Sequence, residues 1–177
     1  TGTQNMTKWL ARFDQRLKPM KLTTCLWFDG RAREAANFYT RIFPDSAVAD
    51  NWIAPSDTPG NKQGDEVVVN FKIFGQAFIG LNGGPQFPHT EAISFQIPCA
   101  NQSEIDHYWS VLTTEGGQES QCGWLKDKFG ISWQVISPEM NLYLGGSDPQ
   151  GAQRATQAML RMRKIDLAAM RKAYLGD

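Results

Sequence analysis

Few side chains in this sequence suit proton transfer or nucleophilic attack: two histidines, His89 and His107, and three cysteines, Cys25, Cys99 and Cys122. His89 lies in "GGPQFPHTE", a Gly/Pro-rich loop, where an imidazole at a cavity rim can act as acid or base. His107 falls beside a helical apolar stripe, the position of a solvated surface residue. Cys25 sits in an alternating segment. Its thiolate becomes reactive only beside a cation, and spacing places none there, which favours a packed, inert thiol. Gln134 interrupts the apolar run "ISWQVIS", and an amide there needs a partner, either a neighbouring strand or a ligand. Asp29 and Asp127 stand in turn sequences and read as turn formers.

The elements that position these residues come in two similar sets. Thr24, Leu26 and Phe28 alternate with Thr23, Cys25 and Trp27, the period of a strand. Asp29-Gly30 turns the chain, with Asp29 predicted to cap a helix whose stripe is Ala35, Phe38, Tyr39 and Ile42. In the second set Ile93, Phe95 and Ile97 alternate with Ala92, Ser94 and Gln96. Ser103-x-x-Asp106 resembles a capping box, and the stripe is Ile105, Tyr108, Trp109 and Leu112. Each stripe residue lies 70 positions after its counterpart, as Ile105 does after Ala35. Hairpins are expected to turn near Gly75 and near Asp127 to Gly130, preceded by strands around Ala47 to Ile53 and Gln118 to Gln121. Each set is then βαβββ.

Helical extensions flank the pair. Met6, Trp9, Leu10, Phe13 and Leu17 share one helical face that Pro19 ends. After Pro149, Ala155, Met159, Met162 and Ile165 recur at helical spacing, and Asp166 caps a last helix through Tyr174. Met159, Met162 and Met170 suit an adaptable contact with the body of the domain or a second subunit. The expected organisation is an extension over 1–20, a paired domain over 21–140 with modules of about 21–88 and 89–140, and a tail over 141–177.

Two curved sheets, each covered by its helix on one face, leave the other faces bare, and set edge to edge they form a cup. If Leu26, Phe28, Phe95, Ile97, Trp133 and Val135 face the helices, the cup face carries Thr23, Cys25, Trp27, Ser94, Gln96, Ser132 and Gln134. The same parity assigns Phe78, Gly80 and Asn82 to the cup. Trp27 and Phe78 either stack on a flat ligand or fill the cup as core. A mixed face with convergent polar groups suits a small-molecule site, and equally a subunit contact.

Lys+Arg and Asp+Glu both total 18, so no net charge draws the chain to nucleic acid or an anionic membrane. No apolar run approaches the ~20 residues a bilayer span needs, and no secretory h-region follows the start. An odd number of cysteines is unlike a disulfide framework, so a reducing cytoplasm is the expected setting.

Four segments, "LWFDGRAREAANFY", "FGQAFIGLNGGPQF", "ISFQIPCANQSEIDHYW" and "CGWLKDKFGISWQV", together resemble the PhnB-like family, whose members are often labelled 3-demethylubiquinone-9 3-methyltransferase. That family is placed in the vicinal oxygen chelate superfamily of glyoxalases, bleomycin resistance proteins and dioxygenases. The resemblance runs from about Lys21 to Ser137 and implies an α+β fold of tandem βαβββ modules with cup-like mixed sheets. It also implies a homodimer. Metal-dependent members take His, Glu or Gln ligands from the first and last strands of each module, which map here to Thr23, Gly80, Ala92 and Gln134. Shifting by one or two places brings in Cys25, Asn82, Glu91 or Ser94, still without a His–Glu set. No metal and no cofactor are therefore expected. The methyltransferase label finds no glycine loop opening a helix, since "GLNGGPQF" is followed by Pro85 and Pro88 and by no helical stripe. The expectation is metal-independent binding of a small molecule by Thr23, Cys25, Trp27, Phe78, Asn82, Ser94, Gln96 and Gln134. Enzymatic chemistry in the cup, or a non-catalytic interaction module, are the alternatives.

Overall fold

The computed structural model describes residues 21–177, so the helix expected between Met6 and Leu17 lies outside the described residues. The first module runs β1 (Thr24–Phe28), α1 (Ala32–Ile42), β2 (Ala47–Ile53), β3 (Glu66–Ile73) and β4 (Gln76–Asn82). The second runs β5 (Phe95–Pro98), α2 (Gln102–Thr113), β6 (Gln118–Glu119), β7 (Trp124–Lys126) and β8 (Ser132–Ile136). Their sheets have equivalent orders, β1-β4-β3-β2 and β5-β8-β7-β6. In each, the first strand pairs parallel to the last and the other pairs are antiparallel. The tandem βαβββ architecture is thus present: a mixed α+β fold with two four-stranded mixed sheets.

Register corrects the parity assigned to β4. Opposite one another lie Thr24 and Phe78, Leu26 and Gly80, and Phe28 and Asn82. In adjacent strands opposite residues share a face, so Phe78, Gly80 and Asn82 lie with Leu26 and Phe28 on the helix-covered side. Phe78 stacks on Phe71 at 5.5 Å, and both are buried. A Cβ on Gly80 would stand 3.0 Å from the Ala32 Cβ, so α1 packs directly on that glycine. In the second module Phe95, Ile97, Trp133 and Val135 share a face with Leu125 as expected, and all but half-buried Phe95 are buried. Ile93, expected in the same strand, precedes β5 and is exposed.

The helix ends also differ from the sequence reading. No side chain of its own N-terminus caps α1. Instead the Asn82 Oδ1 accepts from the Ala32 N–H at 2.9 Å, while its Nδ2 donates to the Glu66 carbonyl at 2.8 Å. A strand residue 50 positions away supplies the cap expected from Asp29. For α2 the reciprocal cap lies two residues before the one expected. Asn101 Oδ1 accepts from Glu104 N, and Glu104 Oε2 accepts from Ala100 N.

One aromatic core joins the modules. Tyr39 of α1 stacks on Phe71 at 6.2 Å and tilts against Trp133 of β8 at 5.6 Å. Phe43 lies between Tyr108 of α2 and Trp133, at 5.5 and 5.2 Å. The tail forms α3 (Met140–Leu144), α4 (Pro149–Met159) and α5 (Leu167–Leu175). Asp166 caps α5 as expected, accepting from Ala169 N. The expected long helix stops at Met159, and Met162 and Ile165 follow in irregular chain. That chain is fastened instead by backbone bonds, Cys122 N–H to the Met162 carbonyl and Gly123 N–H to the Arg163 carbonyl. Ile165 and Met170 are fully buried, with Met159 and Met162 packed against the same core. The methionine face therefore meets the body of the domain.

Candidate functional site

Among the sequence-derived site residues, Ser94, Gln96 and Gln134 come together on the bare face of the second sheet. Gln96 and Gln134 sit opposite each other in β5 and β8. Gln96 Nε2 donates to Gln134 Oε1 at 3.2 Å, and Gln134 Nε2 donates to Ser94 Oγ at 2.8 Å. These amides satisfy one another. Cys25 and Trp27 occupy the bare face of the first sheet, Cys25 exposed and Trp27 half-buried. Thr23 is exposed just before β1. Phe78 and Asn82 are not in this set: the first is core, and the second is the remote cap of α1.

The concave region lies where the modules meet. A cleft of about 380 Å³ is lined by Trp27, Phe28, Phe87, His89 and Phe129, with Asp29 and Arg31 among its polar residues. A second cavity of about 280 Å³ shares Trp27, Phe87, Pro88 and His89, and adds Thr24, Cys25 and Ser132. Such volumes, apolar walls and few polar groups are the usual ingredients of a small-ligand pocket.

The "NGGP" glycines hold Trp27 in this wall. The Trp27 indole N–H donates to the Gly84 carbonyl at 2.7 Å, and its ring meets Phe87 edge-on at 4.9 Å. A Cβ on Gly83 would fall 2.1 Å from the Trp27 ring, so only glycine fits. These glycines seat an aromatic side chain and open no helix, which removes the one segment that resembled a phosphate loop.

His89 stands edge-on to Phe28 at 5.5 Å, with its Nε2 enclosed and without a hydrogen-bond partner. Burial pushes its pKa below the usual imidazole value, and the Trp27 backbone and the Asp127 charge only partly oppose this. His89 is thus neutral at pH 7, as a proton acceptor requires. Cys25 behaves otherwise, because partial desolvation of its sulfur raises the thiol pKa and leaves it a poor nucleophile at neutral pH.

Beneath the cleft lies Asp127, 2% exposed. It accepts from the Tyr39 hydroxyl at 2.7 Å, Trp133 Nε1 at 2.8 Å, Phe129 N at 2.8 Å and Ile131 N at 3.1 Å. Burial still raises its pKa against those four donors. The turn reading of Asp127 captured its two backbone bonds and missed its side-chain partners. Tyr39 is 88 positions away, beyond any local signal. Arg31 and Phe87 likewise carried no spacing signal, because loops bring them to the cleft.

No three His, Cys, Asp or Glu side chains converge on a possible metal position among the described residues. The chelate positions implied by resemblance hold Thr23, Gly80, Ala92 and Gln134, and the Gln134 amide is engaged with Ser94 and Gln96. The residues present do not fit a four-ligand divalent site.

The family model described as 3-demethylubiquinone-9 3-methyltransferase matches residues 20–136. The chain belongs to this family. A solved structure described as a putative 3-demethylubiquinone-9 3-methyltransferase, PhnB protein, from Bacillus cereus is 32% identical, over 67% of this chain and 99% of that one, with a TM-score of 0.59. Protein PA1353 from Pseudomonas aeruginosa is 19% identical, over 67% and 97%, with a TM-score of 0.53, and shares the fold. The fosfomycin resistance protein FosX from Listeria monocytogenes is 15% identical, over 68% and 92%, at a TM-score of 0.47. No curated protein matches the chain.

Proposed function

We propose that this PhnB-like family member binds a small, partly aromatic organic molecule without a metal. The observation that carries this reading is the aromatic cleft between the modules, where Trp27, Phe28, Phe87 and Phe129 surround one neutral imidazole. Aromatic walls supply affinity for a flat ligand, and the few polar groups orient it. Cys25 and Trp27 line this region, and Thr23, Ser94, Gln96 and Gln134 are proposed as further polar contacts on the bare sheet faces. The donor inventory supports metal independence, since the Gln134 amide, which stands at a mapped chelate position, is engaged with Gln96 and Ser94.

A homodimer in the cytoplasm is part of the proposal. Trp52, Ile53 and Ile93 are 46%, 45% and 74% exposed, and a second copy is the simplest cover for such surface. Among the described residues no helix is long and apolar enough to cross a membrane. A second reading, catalysis in the cleft with His89 as base, is favoured by its lowered pKa.

Native mass spectrometry with and without Zn²⁺, Ni²⁺ and Mg²⁺ tests the proposal. A dimer that takes up no metal and carries or accepts a small organic mass supports it. One metal held per chain, with no organic ligand, would overturn it.

A further inference from the structure

The bare faces of the two sheets differ in chemistry. Across the first sheet, register sets Trp52 of β2 opposite Val68 of β3, Val68 opposite Leu81 of β4, and Leu81 opposite Trp27 of β1. One apolar row thus crosses all four strands. Ile79 and Cys25 stand opposite each other in the next row, with Asn70 as its polar member. All of these side chains remain half-buried or exposed, and Trp52 is 46% exposed. The corresponding row of the second sheet is Gln96, Gln134 and Trp124, and its two amides bond to each other. That face suits water; the first does not.

Helix α1 packs on the opposite side of the first sheet at Gly80, so a second layer on this side must come from elsewhere. The two cavities do not account for it. Both reach Trp27 and one reaches Cys25, but Trp52, Val68, Ile79 and Leu81 line neither. A contiguous apolar face of this kind marks a docking surface.

The chain itself brings an occupant to its edge. The described residues begin at Lys21, three positions before β1, the outer strand that carries Cys25 and Trp27. The family match begins at residue 20, so the residues before it are an addition to the matched fold. Among them Met6, Trp9, Leu10, Phe13 and Leu17 recur at helical spacing, and one amphipathic stripe cannot bury itself. At helical rise the stretch from Met6 to Leu17 measures about 18 Å. A five-residue strand runs about 17 Å, and the outer strands of a four-stranded sheet stand about 14 Å apart, so the lengths agree. Lys18 to Thr23 then form the return to β1, an ordinary span for a helix–strand connection.

We infer that residues 6–17 of this chain dock on the bare face of the first sheet, their apolar stripe laid against Val68, Ile79 and Leu81. The inference goes beyond the ligand reading, because it concerns the face beside the cleft, with Trp27 and Cys25 common to both. Trp52 ends the row at β2, where this face meets the surface given above to a second copy.

Cys25 reports on the cover, because its thiol lies on this face, while Cys99 is 1% exposed in the core. The full chain is treated with iodoacetamide, and peptide mass spectrometry follows alkylation at each cysteine. The unaltered protein is compared with a variant carrying both Trp9→Asp and Phe13→Asp. Cys25 is expected to react at least about tenfold faster in the variant, since a covered thiol is reached only through local opening. Cys99 should stay unreactive in both. Equal rates at Cys25 would overturn the inference. Protection that fades as the unaltered protein is diluted would overturn it as well, and would give the face to a second copy. If Cys99 also reacts in the variant, the paired aspartates have unfolded the domain, and Trp9→Ala with Phe13→Ala decides by the same Cys25 rates.

Discussion

The Tyr39 hydroxyl donates to Asp127 Oδ2 at 2.7 Å, joining the helix of the first module to the hairpin turn of the second. Asp127 receives three further hydrogen bonds, from Trp133, Phe129 and Ile131. One buried carboxylate thus fixes the turn that carries Phe129, and with it one wall of the cleft. Two βαβββ modules have no covalent reason to hold a fixed angle, and this hydrogen bond joins the shared aromatic core in fixing one.

Removing the Tyr39 hydroxyl should therefore destabilise the protein in a pH-dependent way. With the Asp127 pKa raised by burial, the folded state keeps its proton to higher pH than the unfolded chain does, whose value is near 3.8. Ionisation then costs stability as pH rises from 3.8 through the folded value, and the four donors limit that cost. Tyr39→Phe is expected to lose about 1–3 kcal/mol at pH 7 and less at a pH below the folded value, where the carboxyl is protonated. Urea unfolding at the two pH values measures the difference. An equal loss at both would mean that the hydroxyl does not support the carboxylate.

His89 gives the opposite slope. Its folded pKa lies below the ordinary imidazole value of 6.5, so between those two values the unfolded chain binds more protons. Stability should fall as pH drops from 6.5 through the folded value, and be fully present above 6.5. His89→Gln should remove this component, so that wild type and variant converge or cross as the pH is lowered. Thermal melts across pH 5 to 8 record it.

Gly83→Ala tests how Trp27 is held. The new methyl would overlap the indole, 2.1 Å from Trp27 Cζ2, so the ring must move or the loop must shift. A cost of about 1–3 kcal/mol is expected, as for other overpacked sites. The Trp27 indole N–H resonance, held by the Gly84 carbonyl, should shift or broaden. An unchanged resonance would show that the loop yields instead.

Asn82 is expected to behave as structure and not as a ligand contact. Asn82→Ala removes the cap on Ala32 and the bond to the Glu66 carbonyl, with a loss of about 1–3 kcal/mol. Asn82→Asp keeps an oxygen for Ala32 and loses the donor to Glu66, so its melting temperature should fall between wild type and alanine. Calorimetry ranks the three.

Local physics made much of this protein legible from its sequence. Alternation in "TTCLWF" and "SFQIP" and the stripes from Ala35 to Ile42 and Ile105 to Leu112 depend on near neighbours, and the strands and helices lie where those patterns put them. The tandem repeat exposed the fold class because both copies turn the same stripe positions, buried or half-buried, toward the core. Resemblance of the four segments to one family reached the family, and the matching model agrees over residues 20–136. Tertiary structure decided the rest. Strand parity is exact within one strand but cannot cross a hairpin without the register, which is why parity alone puts Phe78 and Asn82 on the wrong face. The cap of α1 and the Tyr39 bond to Asp127 depend on contacts 50 and 88 positions apart, and no window of sequence contains both ends. The cleft at His89 exists only where the two modules meet. Its walls are loop residues with no periodicity, and only packing brings them together.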